Sequence, residues 1–226
     1  MTRVVLLCSA SLIALTPGYA FAEARLATAL SPAIHPHRLP LAVLYNQNSN
    51  FGEPVTSQNF STSFAVYDSA AADDFVIPAG HKWHVTEVDV TGMYFNGSGP
   101  ATSEILTFYT NKNNRPATVK ATFTLSCVDS NGNFACKLPG RGQSLSGGRN
   151  GKRYWLSVVA NNCDFANGCG QWGWVQNTTT HIKPGQWENP NNGFGTGCTS
   201  WTDTSKCFGG PPIADDYAFN LKGTSR

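Results

Sequence analysis

Two tryptophans stand two residues apart in Gly170-Gln171-Trp172-Gly173-Trp174. On an extended strand, alternate side chains leave the same face. Their rings would then sit roughly 6.5–7 Å apart along one face, placed to stack on the C–H faces of sugar rings. Trp187 and Trp201 lie in neighbouring Asn-, Gly- and Pro-rich segments, beside amides that can bridge hydroxyl groups. Trp172, Trp174, Trp187, Trp201, Gln171 and Asn189 therefore form the candidate ligand-binding set, with an extracellular glycan as the expected partner. The competing reading is packing, because a large ring buries roughly 150–250 Å2. Trp83 and Trp155, inside apolar runs, are assigned to the core.

Carboxylates supply two further candidate sites. Asp73-Asp74 and Asp215-Asp216 recur in matching frames, Ala-Asp-Asp-Phe and Ala-Asp-Asp-Tyr. If their strands pair, one acid of each could converge with carbonyls on structural calcium, which takes about six to eight oxygen ligands. The alternative is strand-edge acids that accept hydrogen bonds from turn N–H groups. Glu87-Val88-Asp89-Val90-Thr91 resembles the strand motif of jelly-roll β-glucanases. Retaining hydrolysis needs two carboxyls about 5–5.5 Å apart, and Thr91 stands where the acid/base Glu should be. Glu87 and Asp89 are thus the candidate catalytic pair of an incomplete motif, and a non-catalytic module is favoured. Gly142-Gln143-Ser144-Leu145-Ser146 lacks the last Gly of a nucleophile elbow. No cofactor other than calcium is implied.

The elements that must hold these residues are strands. Val119, Ala121, Phe123 and Leu125 alternate with Lys120, Thr122 and Thr124, and Tyr217, Phe219 and Leu221 repeat the period of two. Further strands are expected over 74–77, 83–91, 105–110, 154–160, 171–176 and 182–188. Asn96-Gly97, Asn131-Gly132, Asn150-Gly151 and Asn192-Gly193 mark turns between them. No stretch carries helical periodicity. The expected fold is all-β: a two-sheet antiparallel sandwich of the jelly-roll kind.

Residues 1–22 read as a secretory signal peptide, with Arg3, a short apolar run and Ala20-Phe21-Ala22 before the cut. Residues 23–42 read as a Pro-containing linker or pro-segment, and 43–226 as one β-sandwich domain. Removing Cys8 with the leader leaves six cysteines in three close pairs, Cys127/Cys136, Cys163/Cys169 and Cys198/Cys207. Three local disulfides are expected, in a secreted or periplasmic setting. A net charge of +2 without a basic cluster argues against nucleic acid as a partner, and no later segment is apolar enough to span a membrane. Nothing in the sequence sets the oligomeric state.

Ala72-Asp73-Asp74-Phe75-Val76-Ile77-Pro78-Ala79-Gly80, Trp83 and Tyr94-Phe95-Asn96-Gly97 begin a longer pattern. It continues through Tyr154-Trp155-Leu156-Ser157 and Gln171-Trp172-Gly173-Trp174 to Cys198-Thr199-Ser200-Trp201. This pattern resembles a family of exported bacterial β-sandwich domains found in cell-surface or secreted proteins. The resemblance implies a fold and an address, with no shared activity. No C-terminal sorting segment is expected after Gly223. Three functions remain in play: a glycan-binding module, an exported hydrolase and a structural or adhesive surface protein.

Overall fold

The computed structural model describes residues 41–161, 168–209 and 216–226. The leader and most of the expected pro-segment lie outside them. The described chain is all-β, as its period of two requires, and its strands form three sheets in which nearly every pairing is antiparallel.

The first sheet runs in the order β1 (Ala42–Asn46), β17 (Phe219–Ser225), β5 (Lys82–Val90), β10 (Asn133–Lys137) and β9 (Val128–Ser130), with β11 (Gln143–Ser146) also beside β5. The second is ordered β15 (Thr202–Asp203), β14 (Gln186–Glu188), β4 (Ala70–Ile77), β12 (Lys152–Asn161), β7 (Ser103–Lys112) and β8 (Arg115–Leu125). A short β3 (Gln58–Asn59) runs parallel to β12. The third joins β16 (Asp216–Tyr217), β13 (Gln171–Asn177), β2 (Phe51–Thr56) and β6 (Gly92–Phe95).

Two runs change sheet at one residue each: the strand expected over 83–91 passes into an unexpected β6, and Tyr217 to Leu221, read as one strand, divides at Ala218. Between β5 and β6, Thr91 donates its N–H to Ala218 O and accepts from Val175 N at 3.0 Å. Between β16 and β17, Ala218 donates to Val175 O at 2.9 Å. These two residues turn the corner from the first sheet into the third, so the sheets number three rather than two. The strand expected over 182–188 also shortens to β14, because Pro184 has no N–H for a ladder. The only described α-helix is α1 (Thr204–Phe208).

Side chains from the first two sheets meet in one core. Phe75 of β4 stacks on Trp83 of β5 at 6.3 Å and meets Tyr45 of β1 at 6.1 Å. Around them lie Val85, Val88, Phe219 and Leu221 from one sheet and Ile77, Leu106, Phe108 and Leu156 from the other, all fully buried. Trp83 and Trp155 are buried, as their apolar runs suggested.

Disulfides join Cys127 to Cys136 and Cys198 to Cys207. The first ties β10 to the segment entering β9, and the second fastens α1 to the loop after β14. Two of the three expected local staples lie among the described residues. Of the third expected pair, Cys163 with Cys169, only Cys169 is described, and Cys163 lies outside the described residues. The Cys169 main chain is held just ahead of β13 by a parallel bridge to Ser98, an anchor that the cysteine spacing did not signal. Disulfides of this kind favour export to an oxidising compartment. Among the described residues, no helix is long and apolar enough to cross a membrane.

Candidate functional site

Trp172 and Trp174 do leave the same face of β13, but that face points inward. Both indoles are 0% exposed. Trp172 stacks on Phe134 at 4.7 Å, and Trp174 stacks on Tyr217 at 5.0 Å. Each indole N–H donates to a main-chain carbonyl: Trp172 to Gly132 O and Trp174 to Ala218 O, both at 2.9 Å. Room for the first ring comes from Gly92, where any Cβ would collide with the indole.

Trp187 is likewise 0% exposed, between Phe194 and Phe208, and donates to Thr56 O at 2.8 Å. These three rings cannot stack on a ligand without unfolding their surroundings, so the stacking platform expected of them is corrected to core. Asn189 is also 0% exposed. Its amide donates to Val66 O and Asp68 O and accepts from Phe194 N, clamping two loops together. Of the six expected ligand residues, only Trp201 and Gln171 keep part of their surface in solvent. Gln171 lines a shallow pocket of about 230 Å3 with Phe60, Phe64, Tyr67 and Phe194.

Asp73 and Asp74 leave opposite sides of β4, as alternation demands. Asp73 is fully buried, and its carboxylate accepts from Asp74 N, Gln47 Nε2 and Tyr217 N at 2.5–2.7 Å. Burial, then the nearby charge of Asp216, pushes its pKa well above the usual carboxylate range. Asp74 lies across the strand with the Arg153 guanidinium at 2.9 Å, and burial raises its pKa to about 7 against that cation. Asp216 accepts from the His181 main-chain N–H at 2.5 Å. Among the described residues, no group of three His, Cys, Asp or Glu side chains stands where it could hold a metal ion. Asp215 lies outside them. The Asp73 oxygens already accept three donors, two of them on Oδ2.

Glu87 and Asp89 share the solvent face of β5, as their spacing requires. Between them lies the Lys222 ammonium, 2.7 Å from Glu87 and 2.5 Å from Asp89. Hydrogen bonds to Asp89 and Glu87 raise the Lys222 pKa. The cation bridges the two carboxylates, so the pair forms an ionic clamp across β5 and β17.

Beside that clamp lies a groove of about 480 Å3. Asp89, Ala135 and Val128 stand directly opposite one another on β5, β10 and β9, and so share the outer face. Ala135 is the small member and forms the low point between its neighbours. Phe51 and Val128 flank the groove, 57% and 70% exposed. Its polar wall holds Asn48, Asp89, Thr91, Ser130 and Asn133. Asn48 Oδ1 accepts from Thr91 at 2.5 Å, and Asn133 Nδ2 donates to Ser130 O at 3.2 Å. Those bonds orient both amides and leave Asn48 Nδ2 and Asn133 Oδ1 without partners among the described residues. Apart from Asp89, sequence reading missed this wall, since its members come from four separate segments. The one local signal was Phe51, an apolar residue set in Asn48-Ser49-Asn50-Phe51-Gly52.

No family model matches the chain, and no curated protein matches it. A solved structure of the cysteine protease and lectin-like domains of Cwp84, a surface layer associated protein of Clostridium difficile, is 12% identical with a TM-score of 0.42. The match covers 70% of this chain and 32% of that one, a likeness too loose to assign a function.

Proposed function

We propose that this chain is an exported, non-catalytic binding module that takes an extracellular glycan on the outer face of its first sheet. The observation that carries the reading is the groove of about 480 Å3, where exposed Phe51 stands among two oriented amides, two hydroxyls and a carboxylate. Sugars present C–H faces to a ring and hydroxyls to amides and acids, which is the combination on offer. A largely preformed site of this size, with a few polar groups fixed by their own bonds, is the ordinary form of a small-ligand site. In this reading the sheets form a jelly-roll sandwich behind a cleaved leader, consistent with the resemblance to exported bacterial sandwich domains.

A glycan array with the secreted protein, run beside an assay for released reducing ends, tests this. Retention of one glycan class without release is expected, lost in Phe51→Ala and Asn133→Ala but kept in Trp174→Phe. Release of reducing ends would assign a hydrolase instead. Retention that survives Phe51→Ala would move the site elsewhere, and no retention would favour a structural or adhesive role.

A further inference from the structure

We propose that the outer face of the second sheet carries a site for an organic ammonium group, formed by Glu188, Trp201 and Tyr109. This site is independent of the glycan groove, which lies on the first sheet. Antiparallel pairing sets Gln186 of β14 opposite Asp203 of β15 and Trp187 opposite Thr202. One step further, Glu188 meets Trp201 and accepts its main-chain N–H. Alternation then puts Gln186, Glu188, Trp201 and Asp203 on one face of the ribbon.

That face is the outer one of β4, β12 and β7, where Ala72, Ser157 and Thr107 are small and buried, and buried Trp155 stands opposite Tyr109. Glu188 pairs with Ala70, Gln186 with Ala72, Ala72 with Ser157, and Ser157 with Thr107. Over this face Trp201 meets Tyr109 of β7, with ring centroids 6.0 Å apart and planes at 74°. The two rings make a corner, both half-buried, and the Glu188 charge reaches the Tyr109 phenol.

Glu188 is a half-buried carboxyl with no ion-pair partner among the described residues. Elsewhere on the second sheet, Asp74 pairs with Arg153 and Asp203 with Lys206. Burial pushes the Glu188 pKa up to about 7, relieved only by the Trp201 N–H. Close by, Gln186 is 1% exposed and its Oε1 has no hydrogen-bond partner among the described residues. An ammonium group supplies the missing cation and N–H donors together, and aromatic faces attract it within about 6 Å of their centroids. A neutral hydroxyl ligand would leave the charge uncompensated.

An amino sugar or a lysine side chain carries the same group, so both are probed. Glucosamine and Nα-acetyl-lysinamide are titrated into the full secreted protein, with glucose and Nα-acetyl-norleucinamide as neutral controls. The readout is the Trp201 indole N–H resonance, because the other five of the six tryptophans are buried. Ammonium ligands are expected to shift that resonance in saturable fashion while the controls do not, and the better ligand names the source. The titratable group facing Glu188 is the neutral Tyr109 phenol of β7, while Asp203 of β15 is held by Lys206, Gln186 and Arg115. Affinity for the lysine probe should therefore rise about tenfold from pH 6 to pH 8 as Glu188 ionises. Glu188→Gln should abolish both binding and its pH dependence, with the five buried indole resonances reporting an intact fold. If that variant does not fold, Tyr109→Leu is expected to weaken binding at least tenfold. Equal shifts from the neutral controls, or unchanged affinity in the folded variant, would overturn the assignment.

Discussion

The inner face of β13 and the outer face of β10 obey the same alternation, yet one is sealed and the other lies open. On β13 the alternate residues are Trp172 and Trp174, and the chain around them makes room through Gly92 and presents carbonyls to both indole N–H groups. On β10 the corresponding place is held by Ala135, which leaves a depression between Asp89 and Val128. Large rings are drawn to the side where their area can leave water, and small residues mark the side left for something else. The aromatic residue available to a ligand is thus Phe51 at the rim, rather than any tryptophan of β13.

The greatest expected effect breaks the sealed side. Trp174→Ala should cost about 3–5 kcal/mol by urea denaturation, because it opens a cavity and leaves the Ala218 carbonyl without its indole donor. A loss below about 1 kcal/mol would show that the ring is not core. Next, replacing Cys127 and Cys136 together by Ser should cost about 2–4 kcal/mol. Because this disulfide holds the entry to β9, glycan retention should weaken as well, linking the open side to its frame.

A smaller effect comes from the buried acids. The Asp74 pKa is about 7 in the folded chain, above its ordinary value of 3.8. The folded state therefore holds a proton that the unfolded state has released between those values, and stability falls as pH rises from 4 towards 7. Asp73 acts in the same direction. The Tm should decline across this window and then level, and Asp74→Asn should make the decline shallower. An equally steep decline in the variant would remove Asp74 as its source. The smallest stability effect belongs to the open side. Phe51→Ala should change stability by no more than about 0.5 kcal/mol while removing ligand retention. A large destabilisation would mean that Phe51 is part of the core after all.

Much of the fold was legible because strand periodicity is local. Ala121, Phe123 and Leu125 of β8 and Phe219 and Leu221 of β17 keep their expected alternation, while a register shift leaves Val119 exposed, and Asn96 and Asn131 sit in left-handed turn conformations beside Gly97 and Gly132. Thr91 and Ala218 gave no local sign that they turn a corner between sheets, since that depends on hydrogen bonds to Val175 far along the chain. The candidate site was less legible for a related reason. A period of two says which residues share a face and leaves open which face meets water. Trp172 and Trp174 were correctly placed together and assigned to the wrong side. Glu188 was passed over because its missing counter-ion is a property of its surroundings.

By itself the sequence determined an all-β chain with paired cysteines and strands of known parity, because neighbouring residues decide backbone preference and alternation. Only the tertiary structure decided that three indoles would donate to the carbonyls of distant segments, that Lys222 would lie between Glu87 and Asp89, and that Asn48, Phe51, Thr91, Val128 and Asn133 would enclose one groove. Those outcomes rest on which sheet faces pack together, and packing is settled by the sum of long-range contacts rather than by any single stretch of chain.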